Sequence, residues 1–333
     1  MDPAQHSDRR EPGRNRIDFA ARNTPVQRVD RLGRALGLAP GQLWVKRDDL
    51  TGLTAGGNKA RKLEHLVAEA LAVDSDVLVT AGAAQSNHVR ATAAVARAVG
   101  LDCVAVLSTR RVQNTAEGNL VLDDLFGVRV VWTTPERRED DLSATADRLR
   151  AAGGRPYVIP LGGTSPLGAV GYAEAAAEIE AALPGSVVWC AVGTGGTQAG
   201  LVVGLGDYGR VVGIDVAAVP EIDRTVPQVV AGCADLLDLP QPSGTWSVDM
   251  RYSDVPYGQP FPGVHDAIRL VARTTGLALD PVYTGRAMAG LVERAAAGEL
   301  PDGPIVFLHS GGLPALFTRR YADWFSPPAP LEA

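Results

Sequence analysis

Apolar residues along the chain fall into short unbroken runs, separated by longer stretches in which they recur every three or four positions. The runs cover residues 42–48, 76–80, 103–107, 129–132, 156–160, 186–192, 210–215 and 304–309. Runs this short and this apolar suit strands buried on both faces. The intervening stretches predict helices over 29–36, 59–73, 89–100, 119–126, 135–152, 171–182, 198–205, 220–237, 265–275 and 287–297. Residues 161–168 read as a turn, and 240–262 as a turn-rich segment with aromatics. Strands that alternate with helices predict mostly parallel sheets with helices on both faces, an α/β fold.

The length, 333 residues, suggests about two domains. No compositional break marks a boundary, which fits two domains that exchange chain segments. With 46% hydrophobic and 21% charged residues and a net charge of -6, the chain lacks the basic surface that nucleic-acid partners require. No run approaches the ~18 apolar residues of a membrane-spanning helix. Residues 1–22 are polar, rich in Arg, Asp and Pro, with no apolar signal core. They read as a flexible lead-in to a cytoplasmic protein. Cys103, Cys190 and Cys233 lie apart in apolar surroundings and read as buried free thiols. The five histidines show no ligand spacing, so no metal site is expected.

Several glycine turns follow strands directly, and in open α/β sheets ligands bind beyond the carboxyl ends of the strands. The stretch Thr54-Ala-Gly-Gly-Asn-Lys-Ala-Arg-Lys-Leu-Glu64 opens with glycines and then turns helical, which puts Lys59 at a helix N-terminus. The dipole there disfavours an ammonium and suits an amine of depressed pKa, as Schiff-base lysines need. Gly193-Thr-Gly-Gly-Thr197 lies between an apolar strand and a helix. Its backbone N–H groups, with the hydroxyls of Thr194 and Thr197, make a cradle for a small phosphate. It has neither the Lys-Ser/Thr ending of a P-loop nor a dinucleotide spacing. Gln85-Ser-Asn-His88 gathers polar side chains after a strand, although Ser and Asn are also what a helix cap needs. Tyr283 precedes a helix and Ser310 ends the last strand in His309-Ser-Gly-Gly312; packing and a plain turn account for them equally well. Tyr252 and Tyr257 lie in a proline-containing loop. An imine-forming lysine and a separate mono-phosphate cradle together point to pyridoxal 5′-phosphate, which carries one aldehyde and one phosphate. A hydroxyl facing its pyridine nitrogen would leave the ring neutral, a weaker electron sink suited to α,β-elimination.

The chain resembles the fold-type II pyridoxal-phosphate enzymes, the tryptophan synthase β-like group, and within it the D-cysteine desulfhydrase and 1-aminocyclopropane-1-carboxylate deaminase family. The resemblance runs from about residue 24 to 317. It rests on Lys46-Arg-Asp-Asp-Leu-Thr-Gly52, Gly56-Gly-Asn-Lys-Ala-Arg-Lys-Leu-Glu64, Gln85-Ser-Asn-His-Val-Arg90, Gly168-Ala-Val-Gly-Tyr172, Gly193-Thr-Gly-Gly-Thr197, Asp280-Pro-Val-Tyr-Thr-Gly285 and His309-Ser-Gly-Gly-Leu-Pro-Ala315. It implies two open, twisted, mostly parallel sheets flanked by helices. Residues 1–62 and 176–333 would form the larger cofactor-binding domain and 63–175 a smaller α/β domain. It implies Lys59, Ser86, Tyr283 and Tyr257 as catalytic residues. Asn58, Lys59, Asn87, Gly193, Thr194, Gly195, Gly196, Thr197 and Ser310 would hold the cofactor, with Asn87 bonded to its ring oxygen. Ser86, Asn87, His88 and Thr284 would meet a small amino-acid substrate. A homodimer is implied as well. Deaminases of the cyclopropane acid typically carry Glu after the later tyrosine and Leu after the last histidine. Thr284 and Ser310 stand there in this chain, which looks like the desulfhydrase side. The segments 109–113 and 258–263 depart from the family pattern and leave the substrate open among D-cysteine, the cyclopropane acid and substrates of β-replacement. A cofactor-holding protein without turnover is the reading from another class.

Overall fold

The computed structural model describes residues 15–110 and 116–325. In chain order these form β1 (Val26–Arg28), α1 (Asp30–Ala35), β2 (Leu43–Lys46), α2 (Lys59–Ala72), β3 (Val77–Ala83), α3 (Asn87–Ala98), β4 (Asp102–Ser108), α4 (Asn119–Leu125), β5 (Arg129–Thr133), α5 (Arg138–Ala151), β6 (Pro156–Val158), α6 (Pro166–Ala182), β7 (Val187–Val192), α7 (Gly196–Leu205), β8 (Val211–Asp215), α8 (Ile222–Leu236), β9 (Val248–Asp249), α9 (Pro262–Thr275), α10 (Thr284–Ala296) and β10 (Ile305–Leu308). Short 3₁₀ turns fill the gaps, the last of them over Leu313–Phe317 and Arg319–Trp324.

Two sheets result. The larger has the order β1-β2-β10-β7-β8-β9 and the smaller β5-β4-β3-β6. All pairings are parallel except β1 with β2. The central strands of the larger sheet are apolar at nearly every position because both faces are covered. Val306 and Leu308 of β10, with Val188, Cys190 and Val192 of β7, join the core under α6, α7 and α8. Ile305 and Phe307, with Trp189, join the opposite core under α1, α9 and α10. That alternation follows from the two-residue period of a strand. Each side chain so buried stabilises the fold by roughly 2 kcal/mol. The smaller sheet repeats the pattern: Leu78 and Cys103 face α2 and α3, while Val77, Val79, Val104 and Val106 face α5.

The chain passes from the larger sheet to the smaller through α2 and returns through α6. The boundaries expected at 62/63 and 175/176 both fall inside these continuous helices. α6 starts at Pro166, five residues before the expected Gly171, with Ser165 as its cap accepting from the Gly168 N–H at 3.1 Å. Gly168 and Gly171 look like helix breakers but are contact points. A Cβ on Gly171 would lie 2.3 Å from the Arg61 carbonyl oxygen of α2. The expected flexible lead-in is corrected for its described part. Ile17 N–H bonds to Glu64 O, Phe19 and Ala20 N–H bond to Glu64 Oε1, and Arg22 reaches Glu64 Oε2 at 2.7 Å. The buried Glu64 therefore pins residues 17–22 along α2; residues 1–14 lie outside the described part. β1 and β9, at the two edges of the larger sheet, are too short to be legible in the sequence as separate strands.

Candidate active site

The carboxyl ends of both sheets converge on one crevice. Lys59 is the first residue of α2 and half-buried. Its Nζ donates to Gly162 O, beyond β6, at 3.2 Å. Asn58 precedes it: its N–H donates to Ser310 O, beyond β10, at 3.0 Å, and its Nδ2 to Thr197 Oγ1, beyond β7, at 2.9 Å. The Asn58–Lys59 pair thus joins the ends of three strands from two sheets. Desolvation lowers the Lys59 pKa to about 8. The helix dipole expected from the sequence acts in the same direction, but burial is the larger cause.

Gly193–Thr197 forms the turn from β7 into α7. Gly195 adopts φ +85°. The first intrahelical bond runs from Ala199 N–H to Gly195 O, so the N–H groups ahead of it are left for an anion. Thr194 Oγ1 pairs with Thr164 Oγ1 at 2.5 Å. Lys62, one turn after Lys59, carries no sequence signal that sets it apart from other helix lysines. Its side chain is buried, and a Cβ on Gly196 would sit 2.9 Å from its Nζ. Neither lysine forms an ion pair among the described residues. The Lys62 pKa is driven well below its ordinary value by desolvation and then by Lys59. A buried amine and a half-buried one without a counter-charge, beside a helix N-terminus, suit an anion. These residues fit a phosphate and an aldehyde carried by one cofactor.

Ser86 caps α3, accepting from Val89 N–H at 3.3 Å. Asn87 follows it; its Oδ1 accepts from Asn119 Nδ2 at 2.9 Å. Tyr257 and Tyr283 share a hydrogen bond between hydroxyls at 2.5 Å. Tyr283 Cε1 is 3.1 Å from the Cβ position of Gly193, which places the pair beside the cradle. Burial raises both phenol pKa values, so both stay protonated at neutral pH. Asp280 fixes Tyr283 by accepting its N–H at 2.8 Å and that of Val282 at 2.9 Å. Arg286, on the helix that Tyr283 caps, is fully buried. It donates to the carbonyls of Val216, Val255 and Pro256 and stacks over Phe261, holding the loop that carries Tyr257. The Ser310 side chain is half-buried and forms no hydrogen bond among the described residues. Tyr252 packs in the core under α9.

Two expected substrate contacts are buried side chains. The His88 ring is buried, and its Nε2 lies 2.9 Å from Thr80 Oγ1. Thr80 donates onward to Ile159 O, so His88 must supply the N–H at Nε2. Desolvation, then Lys59 and Lys62, hold it well below its ordinary pKa and therefore neutral. Thr284 is fully buried; its hydroxyl donates to Asp280 Oδ1 at 2.7 Å and accepts from Asp280 N–H at 2.8 Å. The Thr284 hydroxyl is thus taken up by Asp280, whereas His88 Nδ1 is left without a partner among the described residues. Of the departing segment 109–113, residues 111–113 lie outside the described part. No group of three His, Cys, Asp or Glu among the described residues could hold a metal ion, and no described helix is long and apolar enough to cross a membrane.

A mostly parallel α/β fold with an amine and an anion cradle at the strand ends fits pyridoxal phosphate. Residues 17–311 match the family described as pyridoxal-phosphate dependent enzymes, and the chain belongs to that family. It is 42% identical over 316 residues to the D-cysteine desulfhydrase of Yersinia pestis (strain Pestoides F), covering 91% of this chain and 95% of that protein. It is 43% identical over 321 residues to the D-cysteine desulfhydrase of Klebsiella pneumoniae subsp. pneumoniae, with the same coverage. The solved structure of an ACC deaminase homologue matches with a TM-score of 0.83 at 36% identity, over 93% of this chain and 94% of that one. The expected fold-type II architecture, cofactor and lyase class are those of this group.

Proposed function

We propose that the protein is a lyase that converts D-cysteine and water to pyruvate, hydrogen sulfide and ammonia. The observation that carries this is the half-buried Lys59 amine, its pKa lowered to about 8 by desolvation, next to Asn58, which bonds Thr197 of the phosphate cradle. The 42–43% identity to D-cysteine desulfhydrases supports the substrate. When bound, the cofactor supplies an electron sink for the substrate Cα. Lys59 would hold the cofactor and, as a free amine, would take the substrate's Cα proton. Lys62 and the N–H groups of Gly195, Gly196 and Thr197 would hold its phosphate. Asn87 would donate to its ring oxygen, and the Ser310 hydroxyl would meet its ring nitrogen. Ser86 still has its O–H to donate and meets the substrate carboxylate. Tyr283, protonated and steadied by Tyr257, hands a proton to the departing sulfur. The protein works in the cytoplasm as a homodimer.

The ACC deaminase homologue supports a second reading, ring opening of 1-aminocyclopropane-1-carboxylate. One assay separates them. Purified protein should show a visible absorbance from lysine-bound cofactor that is lost in Lys59→Ala. It should release sulfide and pyruvate from D-cysteine. An inert D-cysteine with turnover of the cyclopropane acid would favour the second reading. Absence of the absorbance after adding the cofactor would overturn both.

A further inference from the structure

One buried side chain near the crevice has a geometry that packing does not explain. Asn119, the first residue of α4, is fully buried and more than thirty residues away in sequence from the Gln85–Asn87 segment it touches. Its Nδ2 donates to Gln85 O and to Asn87 Oδ1, both at 2.9 Å. Its backbone N–H donates to Gln85 Oε1 at 2.9 Å, and Gln85 Nε2 donates back to Glu117 O at 3.0 Å. The approach depends on the preceding Gly118, at φ +53°. A Cβ there would lie 2.5 Å from Gln85 Oε1 and 2.8 Å from Thr318 Cγ2.

These bonds permit only one arrangement of amides. Gln85 O is a main-chain carbonyl and can only accept, so the Asn119 NH₂ must face it. The second hydrogen of that NH₂ then meets Asn87, which must present its oxygen. Turning Asn119 over would aim its own Oδ1 at two acceptors. As the structure stands, that Oδ1 is buried without a partner among the described residues, a cost of about 1–3 kcal/mol. The consequence falls on Asn87. With its oxygen taken, its NH₂ is turned away from Asn119, and it donates to nothing among the described residues.

We infer that Asn119 is a positioning residue: it fixes the Asn87 amide so that only a donor can face the cofactor's ring oxygen. This rests on the proposed contact between Asn87 and that oxygen. A fixed donor stabilises the oxygen in its anionic form. Without Asn119 the Asn87 amide is free to turn and offer its own oxygen, which repels the anion. With Asp at 119 the turn is enforced, because a carboxylate can only accept and draws the Asn87 NH₂ toward itself.

The test uses the full chain, with Asn119→Ala, Asn119→Asp, Asn87→Ala and the Asn87→Ala/Asn119→Asp double variant. Cofactor affinity of the cofactor-stripped proteins and the pH midpoint of the visible absorbance are read, with thermal unfolding as the check on folding. Asn87→Ala should weaken cofactor binding about tenfold and raise the midpoint, the value of one charge-assisted hydrogen bond. Asn119→Asp should do at least as much and Asn119→Ala less, while the double variant should match Asn87→Ala alone. If Asn87→Ala is impaired but both Asn119 variants keep the wild-type affinity and midpoint, Asn119 has no positioning role. Effects of the two sites that simply add would also overturn that role. If Asn87→Ala itself binds and absorbs like wild type, the proposed Asn87 contact fails and this inference falls with it.

Discussion

At the scale of single residues, the site is defined by cations that lack a counter-charge. Lys62 shows it best: buried, carrying a depressed pKa, bonded only to the Gly162 carbonyl at 3.5 Å and pressed against Gly196 with no anion beside it among the described residues. Replacing it by Met removes the charge and keeps much of the shape. Cofactor affinity should then fall about ten- to a hundredfold, the range of one or two hydrogen bonds to a charged group. Turnover at saturating cofactor should change far less; titration of the cofactor-stripped protein separates the two. Tyr283 and Tyr257 share one hydrogen bond but differ in rank, because Tyr283 is the one that lies against the cradle. Tyr283→Phe should lower kcat by about 10²–10³. Tyr257→Phe should cost less, since it leaves the Tyr283 hydroxyl in place but unsteadied. Equal losses in steady-state kinetics would mean that both touch the substrate.

At the scale of elements, glycines decide what the sequence discloses. The start of α6 reads as a turn in the sequence because Pro166, Gly168 and Gly171 each break helices in isolation. Gly171 is required by the Arg61 carbonyl 2.3 Å from its Cβ position, a contact with a helix that hydrophobic periodicity cannot reveal. Gly171→Ala should therefore push α6 off α2 and destabilise the fold by at least ~1–3 kcal/mol, the usual cost of overpacking, seen as a lowered urea midpoint. Because α2 begins at Lys59, cofactor affinity should fall with it. The main strands, most helices and the glycine turns are legible because each is a local pattern. Lys59, Ser86, Asn87 and the 193–197 turn come with them. Asn119 and Arg286 are not legible, since only tertiary folding brings them to the site. Thr284 differs for the opposite reason. It adjoins Tyr283 in sequence, but consecutive positions on a helix do not share a face, and its hydroxyl is bonded to the buried Asp280.

At the scale of the whole molecule, a buried ionic cluster ties the two connecting helices, α2 and α6, to β2 of the larger sheet. Arg61 of α2 donates to both carboxylate oxygens of Glu178 on α6, each at 2.8 Å, and to Asp48 after β2. Lys46 of β2 reaches Glu178 at 2.6 Å, and Tyr172 and Thr24 also donate to Asp48. The helix that carries Lys59 is thereby fastened to the end of β2 in the larger sheet and to the helix by which the chain returns. Desolvation alone would raise the Glu178 pKa. The Arg61 hydrogen bonds and charge, followed by those of Lys46, overcome it and hold the group at about 2. A carboxyl depressed in this way from its ordinary value of 4.5 contributes stability above that value and loses it as the pH falls toward 2. The depression corresponds to roughly 3 kcal/mol. Glu178→Gln should be less stable than wild type at pH 6 by ~3 kcal/mol or more, since it leaves Arg61 and Lys46 buried with one counter-charge fewer. It should also lose less stability on acidification, so that the two urea-derived stability curves converge between pH 5 and pH 2. Curves that stay parallel over that range would mean that Glu178 is not the group through which acid separates α2 from α6.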